Sequence, residues 1–318
     1  MRQPAIDDAD IRLYEFDFDL TLMIFFVSPD EEIYGRYGGR TGEDPDSRQS
    51  LKGLHYAMQS ALAAHASKDK PLVPQRHEEP RTVRSLRGGR GGGCLHCHQV
   101  NERLNSELKR NDQWTRHHIF RYPPPDNVGL VLDVDGGDVV DRIEPDSPAA
   151  KSGLEKGDVI ESIGRFPVNS FADAQYALDG APPTGEIAIA WRRDNQLMDA
   201  KLTLPEGWRK HDISWRRSME WIVPSARVFG RNLKPEERRE HGLTETQLAF
   251  WQSYPVSKVA AAAGVQEGDI ILGFDGKQLN MSAYEFLDYV RGHYLCGDTV
   301  KVDILRDGKR LQLPMTLP

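Results

Sequence analysis

One motif of nine residues occurs twice in this chain, and no other feature limits the possible folds as strongly. Residues 152–160 read Ser-Gly-Leu-Glu-Lys-Gly-Asp-Val-Ile, and residues 263–271 read Ala-Gly-Val-Gln-Glu-Gly-Asp-Ile-Ile. Each copy follows an alanine-rich stretch and precedes an apolar strand, a helix (171–178 or 283–290) and two strands joined by a turn. This agreement in order, spacing and residue type predicts two copies of one module.

The first copy, with the Ser-Pro-Ala-Ala that precedes it, resembles the bacterial PDZ family over about residues 124–205. The second copy resembles it more loosely over residues 217–318. The resemblance implies a multidomain α+β chain with two PDZ-like β-barrel or sandwich modules. We place the first module at residues 123–208 and the second module at residues 209–318.

Individual residues of the repeat fit this fold. Gly153 and Gly157 permit tight turns around a short helix, and Asp158 is expected to cap backbone donors in the second turn. The dipeptides at 194–195 (Asp-Asn) and 307–308 (Asp-Gly) indicate two hairpins, since such pairs are favoured in two-residue hairpin turns.

A PDZ domain binds a peptide by β-augmentation, in which the ligand joins an exposed sheet edge as an added strand. The ligand carboxylate lies in a loop of backbone N–H groups, for which the family pattern is an apolar residue, a glycine and an apolar residue. The resemblance therefore implies a site for protein C-termini or extended peptide segments in the first module. Its predicted peptide-binding residues are Asn127, Val128, Gly129, Leu130, Val131, Ala174 and Leu178. In the alternative interpretation, Gly129 only forms a turn and Leu130 only fills the core.

The second module departs from this pattern. Residues 233–242 resemble the helical insertion of PDZ domains in bacterial Deg-type proteases, and no clean apolar-glycine-apolar loop is present. We therefore expect the first module to bind peptides better than the second. The chain also lacks a Gly-Asn-Ser-Gly-Gly run and a Gly-x-Ser-x-Gly elbow, so hydrolase activity is not predicted.

Composition narrows the possible partners. The formal net charge is -7, which does not indicate a nucleic-acid binder. No apolar run approaches the roughly 18 residues of a membrane span, and the first ten residues lack the pattern of a signal peptide. Residues 67–93 form a Pro/Gly/Arg-rich linker. Its glycine-arginine run, residues 87–93, has no aromatic residues, which favours a solvated linker over an RNA-binding segment.

Residues 94–122 contain the pentapeptide Cys94-Leu-His-Cys97-His98, and three chemistries fit it. The spacing is the attachment signature of c-type haem, in which both thiols add to the haem vinyl groups and His98 is an iron ligand. His117 or His118 would then be the sixth ligand. Alternatively, the two cysteines form a redox dithiol at a helix start, or they bind structural zinc with two of these histidines. A segment without a cofactor is the remaining interpretation.

The first 66 residues predict a strand, a turn, a second strand and a helix. Residues 20–27 are rich in β-branched and aromatic residues, and residues 33–37 form the second strand. Ser50 is expected to cap a helix that extends to about Ala66. The apolar positions of this helix are Leu51, Leu54, Met58, Leu62 and Ala63.

The pattern at residues 20–39 is similar to the C-terminal half of thioredoxin-like domains, here called a partial βαβ remnant. The whole chain resembles a bacterial family of thioredoxin-like/PDZ (seleno)proteins, which combine this piece, a Cys-x-x-Cys-His segment and PDZ modules. The first half of a thioredoxin fold is missing. We expect Met1 to be a false start caused by a selenocysteine codon. The location is then extracytoplasmic if residues are missing before Met1, and cytoplasmic if Met1 is the true start.

These features favour a tandem PDZ protein that binds peptides or proteins and carries a redox appendage. A thiol-disulfide or electron-transfer protein whose PDZ modules recruit partners is the first alternative. A zinc-stabilised cytoplasmic adaptor is the second.

Mass spectrometry of the intact protein separates the chemistries of the cysteine segment. We expect one covalent haem per chain when the protein is exported together with a cytochrome c maturation system. A mass without an adduct, with Cys94 and Cys97 both free or with one bound zinc, would eliminate the haem interpretation.

Overall fold

The computed structural model of the protein describes residues 9–42, 44–67, 79–86 and 96–318. These residues form two units. The first contains the described residues as far as His211 together with Trp215–Ser218, and the second contains Asp212–Ser214 and Met219–Pro318. No helix within the described ranges is long and apolar enough to span a membrane.

The amino-terminal part of the first unit is a strand pair followed by a helix. Strands β1 (Met23–Val27) and β2 (Ile33–Gly38) are antiparallel, and helix α1 (Leu51–Ser67) follows them. The Oγ of Ser50 accepts a hydrogen bond from the Gly53 N–H at 2.8 Å, which confirms the predicted cap. The order is therefore ββα, and the βαβ arrangement is wrong, because so short a connection joins only antiparallel neighbours. The likeness to thioredoxin remains a prediction.

Helix α1 buries a different face from the predicted one. Its buried residues are Gly53, Ala57 and Ala61, which recur every four positions. Three of the apolar residues that the helical spacing predicted to be buried are exposed instead: Leu51 by 87%, Met58 by 46% and Leu62 by 67%. A stripe of small residues lets the helix backbone approach its neighbour closely, so this face was not visible as an apolar pattern.

Two further helices precede the first module: α2 (Val83–Leu86) and α3 (Cys97–Arg110). The second of these begins at the second cysteine of the Cys-x-x-Cys-His segment. A small apolar cluster joins both helices to the start of the described chain, and it consists of Ile11, Phe18, Val83 and Val100.

The first module contains six strands and two helices. The strands are β3 (Leu130–Leu132), β4 (Val140–Ile143), β5 (Val159–Ile163), β6 (Phe166–Pro167), β7 (Gly185–Arg193) and β8 (Gln196–Leu204). The helices are α4 (Pro148–Lys151) and α5 (Phe171–Asp179). Strands β3 and β4 form one pair, and the other four form a sheet in the order β6-β5-β7-β8. Side chains from both sheets and from α5 share one hydrophobic core.

The second module has five strands and three helices. The strands are β9 (Gly230–Asn232), β10 (Phe250–Gln252), β11 (Ile270–Phe274), β12 (Thr299–Arg306) and β13 (Lys309–Thr316). The helices are α6 (Pro235–Glu240), α7 (Lys258–Ala262) and α8 (Ala283–His293). The sheet order is β13-β12-β11-β10-β9, so β9 is an edge strand. Helix α6 lies between β9 and β10 in the chain, where the helical insertion was predicted.

The repeated motif builds the same polar network in both modules. Asp158 accepts a hydrogen bond from the Glu155 N–H at 2.8 Å, which confirms the expected cap. Arg193 donates to both Asp158 oxygens, at 2.8 and 2.9 Å, and to the Gly153 carbonyl at 2.7 Å. In the second copy, Arg306 repeats these bonds to the carboxylate and to a glycine carbonyl. Each network connects the motif to an arginine at the end of a strand, β7 or β12, that follows much later in the sequence.

Both predicted hairpin turns are present. Asp194 and Asn195 have φ angles of +51° and +63°, and Asp307 and Gly308 have +49° and +75°. Positive φ at both central residues is the requirement of a type I′ turn.

We expect residues 1–66 to aggregate or remain unfolded when they are produced alone. A two-stranded sheet with one helix is marginal by itself, and here β2 and α1 rest on the first module. Arg36 N–H, for example, donates to the buried Asp173 carboxylate at 3.0 Å. Circular dichroism during thermal unfolding tests this, with the full chain as control. A cooperative transition of the isolated fragment would contradict the expectation.

Candidate functional site

The predicted carboxylate loop of the first module is a tight turn. A 3-10 helix, Pro125–Val128, ends at Gly129, whose φ is +80°. A Cβ atom on Gly129 would lie 2.1 Å from the Oγ of Ser147, which caps α4. The Gly129 N–H already donates to the Asp126 carbonyl at 2.9 Å. A bulky residue here therefore disturbs packing of the fold as well as the approach of a ligand.

The structure brings the predicted apolar site residues together in one cluster. Four of them are fully buried within the core of the first module: Val128, Leu130, Ala174 and Leu178. Val131 is half-buried, and the Asn127 amide donates to the Trp208 carbonyl at 2.9 Å. These residues belong to β3, to α5 and to the turn before β3, the elements between which the PDZ resemblance places the ligand.

The hydrogen-bond register of β3 shows which of its backbone groups face this space. The Gly129 carbonyl accepts from the Glu144 N–H, and the Asp133 N–H donates to the Val139 carbonyl. Alternate residues of an antiparallel strand direct their backbone groups to opposite sides. Leu130 and Leu132 therefore point their N–H and C=O groups away from β4.

Strand β9 has the same register on the open edge of the second sheet. The Phe229 carbonyl accepts from the Ser253 N–H at 3.0 Å, and the Leu233 N–H donates to the Ala249 carbonyl at 3.1 Å. Gly230 and Asn232 consequently direct their backbone groups outward, as Leu130 and Leu132 do in β3. Both residues lie at an edge to which no other described strand is paired.

Helix α8 forms the second wall of a groove beside β9. The Ala283 N–H donates to Asn232 Oδ1 at 2.8 Å, which fixes the start of α8 at the end of β9. Leu287, one helical turn later, lies on the same face and is half-buried. Phe229, just before β9, is 40% exposed. The groove thus has an unpaired strand edge, an apolar wall and an accessible aromatic ring.

Our sequence interpretation did not identify this second groove. The buried Val228 precedes the outward-facing pair by two residues, as the buried Val128 does in the first module. In the second module the glycine stands one place later, and helix α6 separates the loop from the repeated motif. The valine that both modules share, Val128 or Val228, was the sequence feature that could have identified the second groove.

Two arginines lie at the loop end of this groove. Arg227 immediately precedes the loop, and Arg291 is in the last turn of α8; both are exposed. Among the described residues, neither side chain forms an ion pair. Their charge favours an anionic group beside the loop, such as a peptide carboxylate.

The cysteine segment is described only in part, because Cys94 lies outside the described residues. Cys97 is exposed at the start of α3, and His98 Nδ1 lies 2.9 Å from Glu102 Oε1. His117 and His118 are in a 3-10 helix, Arg116–Phe120. Over the described ranges, no three or more His, Cys, Asp or Glu residues are grouped to hold a metal ion. The haem, zinc and dithiol interpretations therefore rest on the sequence alone.

Cys296 is separate from this segment. Its Sγ donates to the Pro318 carbonyl at 2.9 Å, and burial raises the pKa of the thiol. A raised pKa lowers the thiolate fraction and with it the reactivity of the thiol.

The PDZ domain family matches this chain twice, at residues 139–193 and 253–317. The chain is 28% identical over 152 residues to the periplasmic pH-dependent serine endoprotease DegQ of Escherichia coli (strain K12), covering 48% of this chain and 31% of that protein. It is 26% identical over 144 residues to the periplasmic serine endoprotease DegP of Salmonella typhimurium, covering 45% and 27% respectively. The chain therefore spans less than a third of the length of these relatives.

Solved structures give similar matches. A serine endoprotease from Yersinia pestis matches with 24% identity and a TM-score of 0.21, covering 24% of this chain and 27% of that one. The HtrA-type protease AlgW with decapeptide matches with 17% identity and a TM-score of 0.26, covering 52% of this chain and 56% of that one. The two family matches show tandem PDZ domains, as the repeat predicted. PDZ domains bind peptide or C-terminal segments.

One carboxyl group at the boundary between α1 and the first module titrates unusually. Burial raises the pKa of Asp138 to about 6, and the negative charges of Glu161 and Asp173 act in the same direction. The Tyr56 hydroxyl opposes this, since it donates to Asp138 Oδ1 at 2.7 Å. The folded protein therefore holds a proton on Asp138 at a pH where the unfolded chain has lost it.

We expect Asp138→Asn to reduce the pH dependence of stability in weakly acidic solution. A pKa raised on folding makes the wild type lose stability as the pH rises from about 4 to about 6. The uncharged variant lacks this loss, so it should gain about 2 kcal/mol relative to the wild type across the interval. Urea unfolding at several pH values measures the difference. Parallel curves for the two proteins would contradict the assignment.

Proposed function

We propose that this protein binds extended or C-terminal peptide segments by β-augmentation, and that the open site is the groove between β9 and α8. One observation carries the proposal: Gly230 and Asn232 direct backbone groups out of an edge strand beside an apolar helix face, and no other described strand pairs with this edge. The Asn232 carbonyl accepts only a long bond, 3.4 Å, from the neighbouring Arg231 side chain. Main-chain hydrogen bonds to such an edge supply affinity, and the neighbouring pockets supply specificity.

The chemistry of the groove indicates the kind of ligand. Leu287 and Phe229 favour an apolar side chain near the end of the peptide, because burying apolar area is the main source of binding energy. Arg227 and Arg291 favour a free carboxylate at the loop. A peptide with an apolar final residue and a free C-terminus therefore satisfies both ends of the groove.

The homologous space in the first module belongs to the same proposal. Its predicted residues, from Asn127 to Val131 together with Ala174 and Leu178, belong to the equivalent strand edge and helix. The relatives are named as periplasmic proteases, and we extend their location, outside the cytoplasm, to this chain. We do not extend proteolysis to it, because the sequence lacks a recognisable catalytic serine motif.

Binding can be measured with a displayed library of random decapeptides that have free C-termini. The full chain should select peptides with an apolar last residue. In amide-resolved NMR spectra, a selected peptide should shift the Gly230 and Asn232 signals. Leu287→Lys should weaken its binding at least tenfold, since about 1.4 kcal/mol of apolar contact is lost and a charge is introduced.

Asp288→Lys is the control. Asp288 is exposed on α8 and, because adjacent helical positions do not face the same way, this variant carries a new positive charge away from the Leu287 side and should bind as the wild type does. If the full chain selects no peptides, or if Leu287→Lys folds and binds unchanged, the proposed site is wrong.

A further inference from the structure

We propose that the first PDZ module is closed by its own chain: Gly39 and residues 44–53 pack against the start of α5 and against both flanks of β3, across the space where a peptide would lie. This inference rests on the proposed function. It assigns different states to the two copies of one module: the second groove is open, and the first is covered by another segment of the same chain.

Contacts on the α5 side show how closely this segment approaches. A Cβ atom added to Gly39 would lie 2.5 Å from Phe171 Cδ1, so the backbone passes directly against the first residue of α5. The guanidinium of Arg48 stacks over the same Phe171 ring, with Cζ 4.8 Å from its centroid. One wall of the groove is therefore covered at its N-terminal end.

Contacts on the β3 side flank the strand at both ends. Arg48 Nη2 lies 2.6 Å from Asp126 Oδ1, just before the loop that leads into β3. Beyond the other end of β3, a Cβ atom added to Gly53 would lie 2.2 Å from the Val134 carbonyl. Ser50 Oγ donates to Asp135 Oδ1 at 2.6 Å. Between Arg48 and Gly53 the chain thus passes from one end of β3 to the other.

Arg48 is the residue that bridges the two walls. Its side chain contacts Phe171 of α5 and Asp126 before β3 at the same time, so it lies across the groove. The middle and the C-terminal end of α5 are covered by a different segment, since Gln175 Nε2 donates to the Tyr122 carbonyl at 2.7 Å and the Tyr122 N–H donates to Asp179 Oδ1 at 2.8 Å.

The second module provides an internal comparison. In α5, seven of nine residues are buried, and they are Phe171, Ala172, Asp173, Ala174, Gln175, Ala177 and Leu178. In the equivalent α8, three of eleven are buried, namely Ala283, Phe286 and Val290. Gln175 is buried, whereas Leu287, which occupies the same place after the capping serine, is half-buried. The extra burial comes from chain segments outside the PDZ fold.

The segment covers the groove without joining the sheet. β2 pairs with β1, and β3 pairs with β4, in separate sheets. The contacts of Arg48, Ser50 and Gly53 are made by side chains and close packing, not by a β-ladder. A peptide that adds to β3 as a strand would gain backbone hydrogen bonds that the segment does not make. The closure is therefore one that a ligand can displace.

Hydrogen exchange tests the closure on the full chain. In the wild type, the Leu130 and Leu132 amides should exchange more slowly than the equivalent Gly230 and Asn232 amides, because the segment shields them from water although it makes no backbone hydrogen bond to them. Arg48→Asp should increase exchange of Leu130 and Leu132 by about tenfold or more, as expected for loss of a charged hydrogen bond. The double variant Arg48→Asp/Asp126→Arg reverses the charges and should restore protection.

Decapeptides selected on the Arg48→Asp variant supply the second measurement. They should protect Leu130 and Leu132 in that variant and bind the wild type at least tenfold more weakly at this site. Protection of Ile163 and Ile189, which belong to the core, shows that the variant remains folded.

The results distinguish failure of the closure from failure of the proposed function. Fast exchange of Leu130 and Leu132 in the wild type, or unchanged exchange in a folded Arg48→Asp variant, overturns the closure. Equal peptide binding at Leu130 and Leu132 in both proteins overturns it as well. Absence of peptide binding at both modules of every variant overturns the proposed function instead, and the exchange result then decides the closure separately.

Discussion

A buried ion pair between Arg216 and Asp17 fixes how distant parts of the first unit meet. Both side chains are 2% exposed, and Arg216 Nη2 lies 2.6 Å from Asp17 Oδ2. The same guanidinium donates to the backbone carbonyls of Ile119 and Arg121 at 3.2 and 3.0 Å. A buried charge left without its partner costs about 3–5 kcal/mol. The three segments therefore have one arrangement that satisfies these groups, and it places the amino-terminal strands against the first PDZ module.

Other polar contacts strengthen this junction. Asp19 accepts hydrogen bonds from both the backbone N–H and the hydroxyl of Ser218, at 3.0 and 2.6 Å. Burial raises the pKa of Asp17, and the positive charge of Arg216 opposes this rise. Asp17 therefore depends on Arg216 as its partner. The amino-terminal region is thus part of the same folded unit as the first module, and the position of the segment across the groove follows from this anchoring.

The parts of the fold that sequence could predict depend on local chemistry. Ser50 and Asp158 cap neighbouring backbone groups, and the Asp-Gly turn at 307–308 needs only its own φ angles. The parts that sequence could not predict depend on single polar residues far apart in the chain. Asp17 precedes an apolar strand and looks like an ordinary solvated residue, because nothing periodic connects it to Arg216. In the proposed peptide site of the first module, the residues from Asn127 to Leu130 were predicted from their sequence pattern. The segment that covers them was not, because the sequence around Gly39 and Arg48 does not resemble a PDZ domain.

The two modules show how one framework supports an open and a closed groove. The Asp158–Arg193 and Asp269–Arg306 networks are equivalent, so the difference lies outside the repeated motif. An intramolecular segment needs only modest contacts to close a site, because its effective concentration is on the order of millimolar. A peptide must therefore bind β3 well enough to overcome that competition, while β9 presents no such barrier. The same ligand would then occupy the second module at low concentration and the first only at higher concentration. Covering of one copy thus gives the two related grooves different ligand concentrations at which they are occupied.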